Sequence, residues 1–156
     1  MRLIHTITGL ALMMVLFSSC LKKDLPALPL WNGAAVTNVY FEYRYKDSSN
    51  MWQGAPVVAY QALNVSKTVD SAKGTINLTV TVPPVKGTFT ATQRDNVMQN
   101  HLWCYMDVST AASVAPVGDA PAPGFFGDFT KPQQFKVTAA DGTSQVWTLV
   151  ITSFVK

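Results

Sequence analysis

The 156-residue sequence predicts an all-β fold, a single β-sandwich, on three observations. Short runs alternate apolar and polar residues with a period of two, as half-buried strands require. Clusters of turn-forming residues separate those runs at close intervals. No long segment carries the three-and-four spacing of an amphipathic helix.

The first element stands outside the fold. Arg2 precedes an apolar run from Leu3 to Phe17, followed by Ser18, Ser19 and Cys20. This is the layout of a lipoprotein signal, which is removed and takes no part in folding. The run is also shorter than the roughly 20 apolar residues a membrane-spanning helix needs. The expected division is therefore a signal at 1–19, an acylated Cys20 with a tether at 20–34, and the sandwich at 35–156. Phe17 stands where such signals usually carry Leu, Ala or Val, so plain secretory cleavage near Ser19 is the alternative. Each buried methylene of a lipid contributes about 0.8 kcal/mol, so acylation at Cys20 would hold the protein on a membrane without an amphipathic helix. The tether, LKKDLPALPLWNGA, spans roughly 45–50 Å at full stretch.

Strands are expected next. Val39, Phe41, Tyr43 and Tyr45 alternate with Asn38, Tyr40, Glu42 and Arg44, and Ile76, Leu78, Val80 and Val82 alternate with Thr75, Asn77, Thr79 and Thr81. VVAYQALNV (57–65), TFTAT (88–92), HLWCYMDV (101–108), QFKVTA (134–139) and QVWTLVITSF (145–154) supply the others. KDSSN, DSAKG and PPVKG read as turns, and Asp141-Gly142 is a hairpin signal because both residues tolerate positive φ. About seven short strands in one domain predict a sandwich of immunoglobulin type, without the Cys…Trp…Cys pattern of antibody domains.

Three segments carry a resemblance: GTINLTVTVPP (74–84), MDVSTAASVAPVGD (106–119) and DFTKPQQFKVTAADGTSQVWTLVITSF (128–154). Together they resemble an immunoglobulin-like domain common in Bacteroidetes cell-envelope lipoproteins. Phe135 stands where the closing hairpin of that family often opens on tyrosine. The resemblance implies the fold and an address, an outer-membrane lipoprotein exposed at the cell surface. The family is largely of unknown function, and some members are linked to polysaccharide utilisation. Asp70-Ser71-Ala72 resembles the short site at which these bacteria O-glycosylate proteins, making Ser71 a candidate for modification.

Composition argues against several chemistries. Twelve Lys and Arg face nine Asp and Glu with no basic cluster beyond Lys22-Lys23, so nucleic-acid binding has no footprint. Beyond the signal there is one histidine, His101, at the start of a strand, and no metal-ligand spacing. Nothing singles out a pair among the carboxylates for glycoside hydrolysis. No enzyme activity, metal or cofactor is expected. Once Cys20 is acylated only Cys104 remains, which excludes an internal disulfide; it alternates with Leu102 and Met106 as a small buried hydrophobe would.

Aromatic residues outside the core pattern are the candidate ligand contacts. Trp52 lies in KDSSNMWQGAP, and Phe125 and Phe126 lie in the Pro/Gly-rich connection APVGDAPAPGFFGDFT. Sugar rings present apolar C–H faces that stack on such rings. The alternative is that Trp52 and Phe125 fold back to plug the ends of the sandwich. Trp147 belongs to the core, and Trp103 with Tyr105 faces away from Cys104, as a surface aromatic pair or part of an interface. Antiparallel strand parity puts loops 46–56, 83–87 and 110–133 at one end, bringing Trp52 and Phe125-Phe126 together. Loops 66–74, 93–100 and 140–144 would then share the other end with the tether. The expected function is a lipid-anchored, non-catalytic binding module for an extracellular glycan. The alternative is a structural or protein-interaction subunit of an outer-membrane or surface complex.

Overall fold

In a computed structural model the described residues are 29–156; Cys20 and the signal lie outside them. Two sheets pack face to face. One has the order β2-β1-β5-β7, built from β1 (Val36–Trp52), β2 (Ala55–Ala62), β5 (Leu102–Val108) and β7 (Phe125–Gly127). The other has the order β3-β4-β9-β8-β6, built from β3 (Asn64–Asp70), β4 (Thr75–Thr81), β6 (Ser113–Val117), β8 (Gln133–Thr138) and β9 (Ser144–Val155). Neighbours are antiparallel except β4 and β9, which run parallel. The fold is thus the expected β-sandwich, with nine strands rather than seven.

The core lies between the sheets. Val39 and Phe41 of β1, Leu102 and Cys104 of β5, Ile76, Leu78 and Val80 of β4, and Trp147 and Leu149 of β9 are all buried. Their partners in the alternation point outward, as the two-residue period of a strand dictates. Trp147 buries its ring and donates its indole N–H to the Ala34 carbonyl at 2.8 Å, fixing the incoming chain to the core.

Both lateral edges are closed by chain that changes sheets. At one edge β2 hands over to β3 through Leu63, whose N–H donates to the Phe41 carbonyl at 2.9 Å. VVAYQALNV is therefore two strands in two sheets and not one. At the other edge residues 118–124 carry the chain from β6 to β7.

Three further expectations are corrected. TFTAT is not a strand: Phe89 is buried in the core, and Thr90 caps the short helix α1 (Ala91–Asp95). Thr90 and Gln93 bond each other's backbone N–H groups, a capping box. KDSSN is not a loop but a bulge within β1, which runs on to Trp52 and turns back through Gln53 and Gly54, at φ 49° and 81°. Positive φ at both central residues is the two-residue turn that suits strand twist. Third, residues 93–100 lie with 83–87 rather than at the tether end, since Arg94 Nε donates to the Pro83 carbonyl at 3.1 Å. The tether end gathers Trp31, Ser109 and Asp141, joined by bonds from Asp141 N–H to the Trp31 carbonyl and from Ser109 N–H to the Ala35 carbonyl. The β1–β2 hairpin projects from the opposite end.

Candidate functional site: an aromatic sheet face

The outward face of the four-stranded sheet is the candidate site. Register decides its membership. Glu42 of β1 lies between Ala62 of β2 and Trp103 of β5, and Trp103 in turn lies opposite Phe126 of β7. Arg44 faces Tyr60, Lys46 faces Val58, and Tyr40 faces Tyr105. One row of outward positions therefore carries Ala62, Glu42, Trp103 and Phe126 across all four strands, and the next outward row adds Tyr60 and Arg44 on β2 and β1.

Side-chain contacts then order the face. Arg44 donates to Glu42 Oε2 through Nη2 at 3.0 Å and Nε at 3.2 Å, and its guanidinium carbon sits 3.4 Å from the Trp103 ring centre. Glu42 is only 7% exposed, so its charge is met under the Arg44–Trp103 stack rather than by water. Phe125 stacks at 6.0 Å from Trp103, Phe126 meets it edge-on at 5.2 Å, and His101 stacks on Phe126 at 4.3 Å. Lower on the face Tyr40 and Tyr105 stack at 4.9 Å, and Tyr40 donates its hydroxyl to Asp107 at 2.7 Å. That bond raises the Tyr40 pKa; burial first, and then the negative Glu42, raise that of Tyr105.

Much of this surface is in solvent. Val58 and Tyr60 are each 64% exposed and Phe125 is 61% exposed, an aromatic patch unusual for an isolated domain. A shallow groove of about 320 Å³ crosses it, lined by Arg44, Tyr45, Lys46, Val58, Trp103 and Phe126. It opens where β5 ends. β1 pairs with β5 only from Val36 to Glu42, so farther along β1 has no strand beside it on that flank.

Phe125 and Phe126 thus lie on this face, beside Trp103 and Tyr105. Trp52 does not join them. It pairs with Ala55 at the hairpin tip, seven register positions along β2 from Ala62, the partner of Glu42, or roughly 23 Å at about 3.3 Å per residue. It is 71% exposed, so neither Trp52 nor Phe125 plugs an end of the sandwich. Ser71 sits exposed in the β3–β4 turn near the tether end, its carbonyl accepting from Gln145 Nε2 at 3.0 Å. Sequence reasoning missed Tyr40, Arg44, Lys46, Val58 and Tyr60. The outward register of β1 was visible in its alternation, but the partner residues depend on strand order.

Among the described residues no group of three or more His, Cys, Asp or Glu is placed to hold a metal ion. None of the described helices is long and apolar enough to cross a membrane. Cys104 is buried, and burial pushes its thiol up to about 12.

A nine-stranded sandwich with one uncovered aromatic sheet face is the class of protein these features define. The chain belongs to the DUF5018-related family, whose profile matches residues 36–150. It is similar to a Bacteroides fragilis protein described as secreted, with 32% identity and a TM-score of 0.75 over 82% of this chain and all of the other. A second likeness is to a Bacteroides thetaiotaomicron protein described as a glycoside hydrolase. There identity is 16% and the TM-score 0.46, over 85% of this chain and 27% of that one, so it says nothing about activity here. No curated protein matches the chain.

Proposed function

We propose that this chain is a non-catalytic binding module of the cell envelope, lipid-anchored through Cys20, which holds an extracellular glycan on the outer face of β2-β1-β5-β7. One observation carries the reading. Aromatic side chains alternate there with hydrogen-bonding groups, exposed Tyr60 and half-buried Trp103 around Arg44, and exposed Tyr105 beside Glu42. Aromatic surface suits the C–H faces of sugars, while guanidinium, ammonium and phenol groups suit their hydroxyls. The face stands on paired strands, which keep a site more fixed than loops do. The described chain from Trp31 to Ala34 joins the sandwich at the end away from the hairpin.

The test is affinity electrophoresis of the full chain in detergent through gels carrying plant, host and microbial polysaccharides. Saturable retardation that weakens in Phe126→Ala supports the reading. Absence of retardation by every polysaccharide overturns it.

A second reading, a subunit of an outer-membrane or surface assembly, has its own support. β2 is an edge strand with Val58 and Tyr60 in solvent, and Trp103 already carries Arg44 on its ring and Phe125 stacked nearby. Tyr, Trp and Arg are also the residues that dominate protein interfaces.

A further inference from the structure

We infer that the ligand of this face is an acidic polysaccharide, whose uronate carboxylate is taken by Lys46. The inference rests on the glycan reading above and deepens it by naming the class of sugar.

The charges around the groove decide the matter. Of its two cations, Arg44 is committed, since it bonds the buried Glu42 and covers the Trp103 ring. That pair is neutral overall. Lys46 lies two residues farther along the same face of β1, exposed, and lines the same groove. The ion pairs among the described residues are Arg44–Glu42 and Lys73–Asp70, so Lys46 has no carboxylate of its own. The neighbouring Asp47 falls in the opposite register, and its Oδ1 accepts from the N–H and hydroxyl of Ser49. Asp107, the other carboxylate on this face, is bonded by Tyr40 at the far end of β5. The groove therefore holds one uncompensated positive charge beside the apolar side chains of Val58 and Phe126, with Trp103 beneath the Arg44 guanidinium. A hexuronate residue is complementary to that arrangement. Its ring packs against the apolar side chains while its carboxylate reaches the ammonium, a charge-assisted contact. A neutral sugar offers the solvated Lys46 ammonium no counter-charge.

The experiment runs the full chain in detergent through gels containing polygalacturonate or a neutral β-glucan, at low and high salt, comparing wild type with Lys46→Gln and Lys136→Gln. Lys136 is exposed on the other sheet and controls for net charge. The expected result is retardation by polygalacturonate, weakened about tenfold by Lys46→Gln, a change of roughly 1.4 kcal/mol, and not by Lys136→Gln. Salt should weaken the wild type more than Lys46→Gln. Equal losses in the two variants, or wild-type strength in Lys46→Gln, would overturn the assignment to Lys46. Retardation by the neutral glucan alone would overturn the acidic class and leave the glycan reading standing. Failure with both polymers and with the wider panel would remove both.

Discussion

The Arg44 guanidinium lies 3.4 Å from the centre of the Trp103 ring while bonding Glu42, so three residues on two strands form one unit. A carboxylate as buried as Glu42 is tolerable only because that cation meets it. Arg44→Ala would strip the partner and leave the charge beneath an indole. Breaking a fully buried pair costs about 3–5 kcal/mol; the Arg44 side chain is 32% exposed, so water offsets part of this. The expected loss in urea unfolding is about 2–3 kcal/mol. Adding Glu42→Gln should recover more than half of it, since the neutral amide no longer needs a counter-charge. Full additivity of the two losses would mean the residues act separately.

Cys104 gives a prediction with a definite sign. Its thiol has an ordinary value of 9.0 and is pushed up to about 12 in the fold. Between those values the unfolded chain has lost the proton and the folded chain retains it. The thiol's contribution to stability is thus complete below about 9 and declines as pH rises toward about 12. At neutral pH the native protein should resist an aromatic disulfide reagent, with labelling rising only as urea opens the core. Rapid labelling of the folded protein would show that β5 opens on its own.

Gly127 ends β7 where no side chain fits. A Cβ there would lie 2.2 Å from Pro121 Cγ and 2.9 Å from Phe129 Cε2. The proline ring cannot swing aside, so Gly127→Ala must push β7 away from β5. We expect a loss of about 1–3 kcal/mol by overpacking. Phe126 is the adjacent residue, so its ring should also leave Trp103, seen as a change in the near-ultraviolet circular dichroism. Unchanged stability would mean that residues 118–124 yield as a unit.

What could be read from sequence depended on how strongly each segment felt the core. β1, β4, β5 and β9 alternate because one face of each is buried, and their places were legible. β3 was not, because NVSKTVD is an edge strand with four consecutive exposed residues and little alternation to detect. β6 and β7 were hidden by brevity, by Pro116 within SVAPV, and by the surrounding prolines and glycines. TFTAT misled through β-forming residues, although Thr90 followed by Gln93 is a local helix-start signal. At the candidate site, alternation exposed the outward pair Trp103 and Tyr105. The residues beside them come from β2 and β7, and strand order is a property of the whole chain.

The same point governs Trp52. It is the most exposed of the described large hydrophobic residues, and composition alone would make it the first choice for a ligand contact. Yet it flanks a two-residue turn, seven register positions from the row of Trp103 and Phe126, or roughly 23 Å at about 3.3 Å per residue. Trp52 does not line the groove and lies three register positions beyond its Lys46–Val58 end, so a ligand that stays within the groove would stop short of it. Trp52→Ala should therefore alter unfolding free energy by no more than about 0.5 kcal/mol and leave retardation by polysaccharide unchanged. Tyr60→Ala removes a ring from the sheet face itself, opposite Arg44, and should weaken retardation several-fold with equally little effect on stability. Affinity electrophoresis of the two variants side by side separates the locations. Loss with Trp52→Ala and none with Tyr60→Ala would move the site from the sheet face to the hairpin tip.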